Sequence, residues 1–153
     1  METRYVDYEE FDCLMEMLAL KIKLSKIELT HILALGRGGL IPGVVLSHKL
    51  GLPMKTVFYS SSNGKGSGGK DITEAHRVMK EGFQPKDSIL VVDDLVDSGH
   101  ALKDVVEYLH SEFGHTPYSA VIFEKEGSVI SPTFNADVVT KDSPFIDFPW
   151  ECP

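Results

Sequence analysis

The sequence predicts an α/β fold with a mostly parallel central sheet flanked by helices. Short apolar runs alternate with segments of helical periodicity, which is the order expected of parallel strands joined by helical crossovers. The run Ile89-Leu90-Val91-Val92 is apolar throughout, as expected of a central strand covered on both faces. Four other runs predict strands: His31 to Leu35, Thr56 to Tyr59, Ala120 to Phe123 and, shorter, Val138-Val139.

Three helices are predicted from apolar spacing and from end signals. Asp7 and Glu10 resemble a capping box before a run of apolar residues at helical spacing. Pro42 is tolerated in the first turn of a helix, and Gly51 follows the last apolar position of the same segment. The predicted helices cover residues 8–25, residues from about 40 to Gly51, and residues 101–113.

Length, composition and charge restrict the class of protein. The chain has 153 residues, 42% of them hydrophobic and 25% charged, and no internal repeat, so we predict a single domain over 1–153. The net charge of −8 and the absence of a long basic stretch argue against nucleic acid as a partner. No apolar run approaches the length of a membrane span, and the amino terminus has no signal pattern.

The two cysteines, Cys13 and Cys152, lie at opposite ends of the chain. They are interpreted as reduced thiols of a cytoplasmic protein, and a disulfide joining the two termini remains the alternative.

The stretch from Asp93 to Gly99 carries the strongest chemical signal. It places three carboxylates and a Ser-Gly pair between a buried strand and the start of a helix. Ligands of open α/β sheets bind at that end of a strand, and a helix amino terminus favours an anion such as phosphate. Adjacent carboxylates suit ribose hydroxyls or a hydrated magnesium ion. The alternative is a solvated acidic turn with no binding role, in which Asp97 or Ser98 only caps the helix.

Residues 89–101 (ILVVDDLVDSGHA) resemble the diphosphate-sugar signature of the type I phosphoribosyltransferases. Three further segments resemble parts of that family in the same order: residues 32–43 (ILALGRGGLIPG) its first pyrophosphate loop, 123–125 (FEK) its purine-contacting lysine, and 145–150 (FIDFPW) the carboxyl-terminal hood of the bacterial xanthine-guanine branch. The resemblance implies a Rossmann-like fold with a flexible flap at about 60–72 and a small hood at about 142–153.

The resemblance also implies a reaction. A ribose 5-phosphate is transferred from phosphoribosyl diphosphate to a ring nitrogen of a 6-oxopurine base, and pyrophosphate is released, with Mg²⁺ as cofactor. Asp93 and Asp94 would hold the ribose hydroxyls and the hydrated ion, and Asp97 would accept a proton near purine N7. The 5-phosphate would lie on the backbone amides of the following turn, with the Ser98 hydroxyl: Asp97, Ser98, Gly99, His100 and Ala101.

Other residues are assigned to the leaving group and the base. Arg37 and Gly38 would bind the pyrophosphate, with a non-proline cis peptide expected near residues 35–37. Lys65 and Lys70 of the flap would close over it, although an inert linker is the alternative. Three residues would bind the purine, namely Lys125 at its 6-oxo group, Phe145 by stacking and the Ile146 backbone at its 2-position, and Asp147 would help to bind metal or ligand. The alternative is that Phe145 and Trp150 serve only as ordinary hydrophobic cover of the core.

Some residues depart from the family pattern. Compared with the pattern of the family that the sequence resembles, Ala101 stands where many members have a second hydroxyl residue, His100 replaces a usual glycine, and Phe145 stands where the xanthine-guanine branch has tryptophan. These changes place phosphate affinity and base selectivity in question.

The glycine-rich segments match no other nucleotide-binding motif. Neither Gly64-Lys65 nor Gly69-Lys70 is followed by Ser or Thr, which excludes a Walker loop, and Ile41 breaks a dinucleotide fingerprint. A non-catalytic sensor of phosphoribosyl diphosphate or nucleotide, and a transferase for another base, remain alternatives. The family resemblance implies a homodimer or homotetramer.

Overall fold

The structure is a computed structural model that describes residues 2–59 and 72–151. In chain order the elements are β1 (Thr3–Tyr5), α1 (Tyr8–Ser25), β2 (His31–Gly36), α2 (Leu40–Leu50), β3 (Met54–Phe58), α3 (Thr73–Gly82), β4 (Ile89–Val96), α4 (His100–Phe113), β5 (Tyr118–Lys125), β6 (Phe134–Val139) and β7 (Phe145–Asp147).

The central sheet has five parallel strands in the order β3-β2-β4-β5-β6. This confirms the predicted α/β fold with a mostly parallel sheet. The chain proceeds from β2 to β3 in one direction and from β4 to β5 and β6 in the other. The strand order therefore reverses between β2 and β4, and a ligand crevice is expected where their carboxyl ends diverge.

Alternate residues of the strands fill two separate cores. Ile32, Leu90 and Ala120 pack in the core formed with α1, while Leu33 and Val91 pack in the core that α3 and α4 cover. All five side chains are fully buried. Side chains of successive strand residues point to opposite faces, so a strand covered on both sides is apolar at every position.

A second, two-stranded sheet joins the two ends of the chain. Strand β1 pairs in parallel with β7, with Thr3 opposite Phe145, Arg4 opposite Ile146 and Tyr5 opposite Asp147. The Val6 amide extends the ladder by donating to the Asp147 carbonyl at 2.9 Å. The amino terminus therefore holds in place the segment that the sequence assigns to the hood.

The structure corrects some predicted boundaries. The polar turn predicted over Asp93 to Gly99 is wrong in its first half, because β4 continues to Val96 and carries Asp93 and Asp94 within the strand. Pairing with β5 through Val96 extends the strand despite these polar side chains. Helix α3 was not predicted, since it buries only Ala75 and Met79 and so has a narrow apolar stripe. Strands β1 and β7, of three residues each, were also not predicted.

Most of the flap predicted at residues 60–72, including Lys65 and Lys70, lies outside the described residues. Within 2–59 and 72–151, no helix combines the length and the apolar character that a membrane crossing requires.

Candidate active site

Two loops and the end of a third strand meet at the carboxyl edge of the sheet. Residues 37–39 connect β2 to α2, residues 97–99 connect β4 to α4, and Lys125 ends β5. Two of these loops follow β2 and β4, the strands between which the strand order reverses. The loops after β2 and β4, which carry many of the predicted site residues, thus lie at the crevice expected from the topology.

Glycines allow the loop after β2 to lie directly on β4. A Cβ atom on Gly38 would lie 2.5 Å from the Asp94 carboxylate, and one on Gly39 would lie 2.2 Å from the Val92 carbonyl oxygen. The Gly36–Arg37 peptide is cis, as predicted for this segment. Arg37 and Asp94 line the same cleft.

The acidic pair on β4 is held by backbone hydrogen bonds. Asp93 Oδ1 accepts from the Asp94 amide at 2.9 Å, and Asp94 Oδ1 accepts from the Leu95 amide at 2.7 Å. Burial raises the pKa of Asp93 well above its usual range, and the charge of Asp94 adds to this effect. Burial also raises the pKa of Asp94. A diol that donates hydrogen bonds, or a cation, would stabilise the ionised form of these two carboxylates.

The turn after β4 forms a small cleft of about 170 Å³. Gly99 has a φ of 88°, which favours glycine, and a Cβ there would meet Ile130 Cγ2 at 3.0 Å. The Ser98 carbonyl accepts from the Val129 amide at 2.9 Å, so a second loop supports the turn from behind. The cleft is lined by Asp93, Leu95, Val96, Asp97, Ser98, Gly99, Ala101 and Leu102. His100, the first residue of α4, is half-buried and is not among these lining residues.

A second cleft, of about 420 Å³, adjoins the first through Leu95 and Asp97. Lys125 Nζ lies 3.2 Å from Asp97 Oδ1 at its wall, and the Asp97 side chain is 70% exposed. The other wall is the hood segment, residues 142–146, in which Phe145 is exposed and Ile146 is buried. The structure therefore brings together Asp97, Lys125, Phe145 and Ile146.

A third cleft, of about 700 Å³, lies on the other side of Phe145. It is lined by Arg37, Gly38, Asp94, Phe145, Asp147, Trp150 and Glu151. The charge of Glu151 adds to the burial that raises the pKa of Asp94, so these two carboxylates are within electrostatic range of each other. Glu151 is a site residue that the sequence analysis missed, because a lone acidic residue near the end of the chain gives no pattern.

The third cleft suits a magnesium ion that shares its ligands with a substrate. Mg²⁺ keeps several waters and binds through one or two carboxylates together with phosphate oxygens. Asp94, Asp147 and Glu151 are oxygen donors of this kind, and they line the cleft together with Arg37. Within the described ranges no group of three or more His, Cys, Asp or Glu side chains is arranged to hold a metal by itself. One or two of these carboxylates together with phosphate oxygens would suit Mg²⁺, so the donor chemistry is compatible with the ion.

Aromatic stacking fixes the hood. The rings of Phe148 and Trp150 are parallel with centroids 4.9 Å apart, and Trp150 meets Phe11 of α1 edge-on at 5.1 Å. The Phe148 amide donates to Glu151 Oε2 at 2.9 Å, which closes the final turn. Trp150 therefore both covers the core and lines the third cleft, whereas Phe145 is 60% exposed and has no such packing role.

Known proteins have similar sequences. A xanthine-guanine phosphoribosyltransferase of Nitratidesulfovibrio vulgaris (strain DP4) is 31% identical over 121 residues, which cover 78% of this chain and 68% of that protein. Another, from Idiomarina loihiensis, is 28% identical over 149 residues, which cover 96% of this chain and 86% of that protein.

Solved structures show the same fold. A purine phosphoribosyltransferase from Pyrococcus horikoshii superposes with a TM-score of 0.75 at 27% identity, covering all of this chain and 97% of the other. A Helicobacter pylori xanthine-guanine-hypoxanthine phosphoribosyltransferase gives 0.73 at 22% identity, with 98% and 94% covered. The fold is that of the type I phosphoribosyltransferases. A family model described as phosphoribosyl transferase domain matches residues 5–153, and the chain belongs to this family.

Proposed function

We propose that this protein transfers the 5-phosphoribosyl group of phosphoribosyl diphosphate to a 6-oxopurine base (guanine, xanthine or hypoxanthine). The products are the nucleoside 5′-monophosphate and pyrophosphate. The names of the curated relatives, xanthine-guanine phosphoribosyltransferases, support the substrate class. We further expect the reaction to take place in the cytoplasm.

The proximity of Lys125 to Asp97 carries the proposal. A 6-oxopurine presents its O6 acceptor and its N7 atom side by side on one edge. An ammonium and a carboxylate 3.2 Å apart match that edge, since Lys125 would donate to O6 and Asp97 would accept the proton from N7–H. Adenine presents an amino donor at the same position, which a lysine cannot accept. The pair therefore selects both the oxo group and the tautomer with a proton on N7.

The walls of the same cleft suit a purine ring. Phe145 exposes 60% of its surface there and offers a flat face for stacking. The buried Ile146 continues the wall, and its backbone would meet the 2-position of the base. Strand β1 pairs with these residues and supports the wall.

The sugar and the leaving group would occupy the two neighbouring clefts. The 5-phosphate fits the 170 Å³ cleft at the amino terminus of α4, where amide hydrogens and the helix dipole favour an anion. The ribose hydroxyls would lie on Asp93 and Asp94, and the diphosphate would lie beside Arg37 in the third cleft. Asp94 and Asp147 would hold Mg²⁺ together with phosphate oxygens of the substrate, and the ion when bound would neutralise charge on the diphosphate.

In the reaction a purine nitrogen forms a bond to C1′ of the ribose as the C1′–O bond to the diphosphate breaks. The pyrophosphate leaves with the electron pair of that bond, and Asp97 takes the proton released from N7. Arg37 stabilises negative charge that grows on the leaving group. Asp93 and Asp94, through the ribose hydroxyls, hold the sugar while C1′ carries positive charge.

The direct test measures pyrophosphate release with phosphoribosyl diphosphate, Mg²⁺ and each of guanine, xanthine, hypoxanthine, adenine and uracil. Release with one or more of the three 6-oxopurines, and little with adenine or uracil, is expected. No release with any base would overturn the enzymatic assignment in favour of a non-catalytic sensor. Release with adenine or uracil alone would overturn the roles given to Lys125 and Asp97.

Two variants with a matched control refine the test. Lys125→Met should lower kcat/KM for 6-oxopurines by about 10²-fold or more, because a buried interaction with O6 is lost. Asp97→Asn should lower kcat by about 10²–10⁴-fold while thermal stability changes little. The control is Lys86→Ala, an exposed lysine that precedes the amino-terminal end of β4, at the opposite edge of the sheet. It should keep the activity of the unaltered protein.

A further inference from the structure

Helix α1 has apolar residues on two opposite faces. One face packs in the core through Phe11, Leu14, Met15, Leu18, Ala19 and Ile22. The other consists of Cys13, Met17, Leu20 and Leu24, which we call the outer face of α1. These four residues are spaced four, three and four apart, so they form one continuous stripe along three turns.

The outer face is exposed along its whole length. Cys13 is exposed, and Met17, Leu20 and Leu24 expose 48%, 56% and 70% of their surface. A surface helix of a monomer normally has polar residues opposite its buried stripe. Single exposed apolar side chains are common, but a row of them on one helix is typical of a protein interface.

No described segment of the chain packs over these side chains, as their exposure shows. Residues 60–71 (SSSNGKGSGGKD), which the structure does not describe, contain no apolar side chain with which to cover such a stripe. A partner with its own apolar surface would suit the stripe better than this segment.

The charges beside the stripe point to a second copy of the same helix in antiparallel orientation. The first half of α1 carries acidic residues and the second half basic ones: Glu9, Asp12 and Glu16, then Lys21 and Lys23. Glu16 pairs with Lys49 of α2 within its own chain, yet its side chain remains 66% exposed and open to a second cation. An antiparallel copy brings the acidic half of each helix to the basic half of the other, whereas a parallel copy would bring like charges together. Antiparallel helix dipoles favour the same arrangement.

A two-fold axis between Met17 and Leu20 satisfies both the apolar and the charged pattern. It places Met17 against the partner's Leu20 and Cys13 against the partner's Leu24. Residues on the same side of the stripe then face each other, so Glu16 lies near the partner's Lys23. An interface of this kind is isologous, because both copies use the same surface.

We propose that the outer face of α1 is a two-fold interface through which two copies of this chain associate, with their α1 helices antiparallel. Four apolar side chains per copy are fewer than the 20–30 residues a side of a standard interface. We therefore expect the dimer to dissociate on dilution. The proposal is independent of the catalytic assignment.

The register is tested by disulfide trapping in a Cys152→Ser background. Leu24→Cys places a new thiol opposite the partner's Cys13, so mild oxidation should give a covalent dimer on a non-reducing gel. Residues 13 and 24 of one helix are about 16 Å apart along the axis, too far for a disulfide within one chain. The matched control adds Cys13→Ser to the same variant and should remain monomeric. Equal cross-linking in both, or in neither, would overturn the antiparallel register.

The interface itself is tested by sedimentation velocity over a dilution series. The unaltered protein should shift from dimer to monomer on dilution, and Leu20→Glu should be shifted toward monomer at every concentration. Val138→Glu is the control, since Val138 on β6 is exposed to a similar extent, at 49%. A protein that is monomeric throughout, or an oligomer that Leu20→Glu leaves unchanged, would overturn the proposal. Circular dichroism of both variants verifies that they fold, as expected for exposed sites.

Discussion

Burial in the candidate site disfavours the ionised carboxylates of Asp93 and Asp94 in the folded protein. Each accepts a backbone hydrogen bond, yet burial raises the pKa of both carboxyls. A residue with a raised pKa in the folded state favours folding most at low pH. That contribution is lost as the pH rises from the ordinary aspartate value toward the folded-state value.

We therefore expect Asp93→Asn to stabilise the protein at neutral pH and to lower its activity. The amide oxygen of Asn still accepts from the Asp94 amide, while the ionised group is removed from its buried position. The gain in free energy of unfolding should shrink as the pH falls toward the ordinary aspartate range, where the original side chain is itself protonated. Urea unfolding at neutral and acid pH measures the difference. A loss of stability at neutral pH would show that burial of the ionised Asp93 side chain does not destabilise the folded protein.

Gly38 is a second residue at which local geometry decides function. A Cβ atom there would lie 2.5 Å from the Asp94 carboxylate, so Gly38→Ala must displace either the loop or that side chain. We expect a loss of about 1–3 kcal/mol in stability, as for other overpacked sites, and weaker binding of phosphoribosyl diphosphate. Calorimetric titration and thermal unfolding measure the two effects.

The control for this prediction is Gly82→Ala. A Cβ at Gly82 has only the flexible Lys55 side chain nearby, at 3.4 Å, so both stability and binding should be nearly unchanged. Equal behaviour of the two variants would mean that the close approach at Gly38 has no consequence.

At the scale of elements, an aromatic cluster ties β3 and α3 to α4. The Tyr59 hydroxyl, just after β3, donates to Asp104 Oδ2 at 3.0 Å on α4. The His76 ring on α3 stacks on Tyr108 of α4, with centroids 4.1 Å apart, and the Tyr108 hydroxyl donates to the His76 carbonyl at 3.0 Å. Tyr59 and His76 are thus both attached to α4, the helix that follows the turn after β4.

Burial and the hydrogen bond to Asp104 raise the pKa of Tyr59 to about 12. Because the protonated hydroxyl is favoured in the folded state, the stability that it contributes is present below about pH 10. It should be lost as the pH rises toward about 12. Tyr59→Phe should remove a late-titrating phenol from the ultraviolet absorbance titration and reduce this alkaline loss of stability. An unchanged titration curve would contradict the assignment.

The cost of Tyr59→Phe at neutral pH should be about 0.5–1.5 kcal/mol, the net value of one hydrogen bond. Tyr5→Phe is the control, since Tyr5 is 67% exposed. This change should cost less stability, because an exposed side chain contributes little to the fold.

At the scale of the whole molecule, the two ends of the chain form one wall of the site. Strand β1 holds β7, and β7 carries Phe145, Ile146 and Asp147. The Arg4 guanidinium lies over the Phe123 ring, 4.9 Å from its centroid, and bonds Glu10 at 2.5 Å. The amino-terminal strand is therefore anchored to both the sheet and α1.

We expect Arg4→Ala to weaken base binding more than it weakens the fold. Loss of the cation–π contact and of the ion pair should cost about 1–2 kcal/mol, and the added mobility of β7 should raise the KM for the base more than that for phosphoribosyl diphosphate. Steady-state kinetics with each substrate varied in turn measure the split. An equal rise in both KM values would indicate a general loss of folding instead. Glu10→Gln, which removes the ion pair but keeps Arg4 over the ring, should show a smaller effect.

Much of the architecture follows from local sequence. The unbroken apolar runs at 31–35 and 89–92 indicate strands buried on both faces, and the capping residues of α1 mark its start, because these signals depend on near neighbours in the chain. Asp97, Lys125, Arg37 and Phe145 were selected as site residues from ordered motifs. The central parallel sheet brings Arg37, Asp97 and Lys125 to one edge, as expected for the carboxyl ends of parallel strands, whereas Phe145 reaches the site on β7 of the second sheet.

The amino-acid order by itself determined the fold class, the family and most residues of the candidate site, since each is encoded in a contiguous pattern. Only the tertiary structure revealed the pairing of Lys125 with Asp97, the place of Glu151 in the cleft of Arg37, and the union of β1 with β7. These contacts join residues that are 28, 114 or more than 140 positions apart. No periodicity records them, because they arise when the twisted sheet and its covering helices set distant segments side by side.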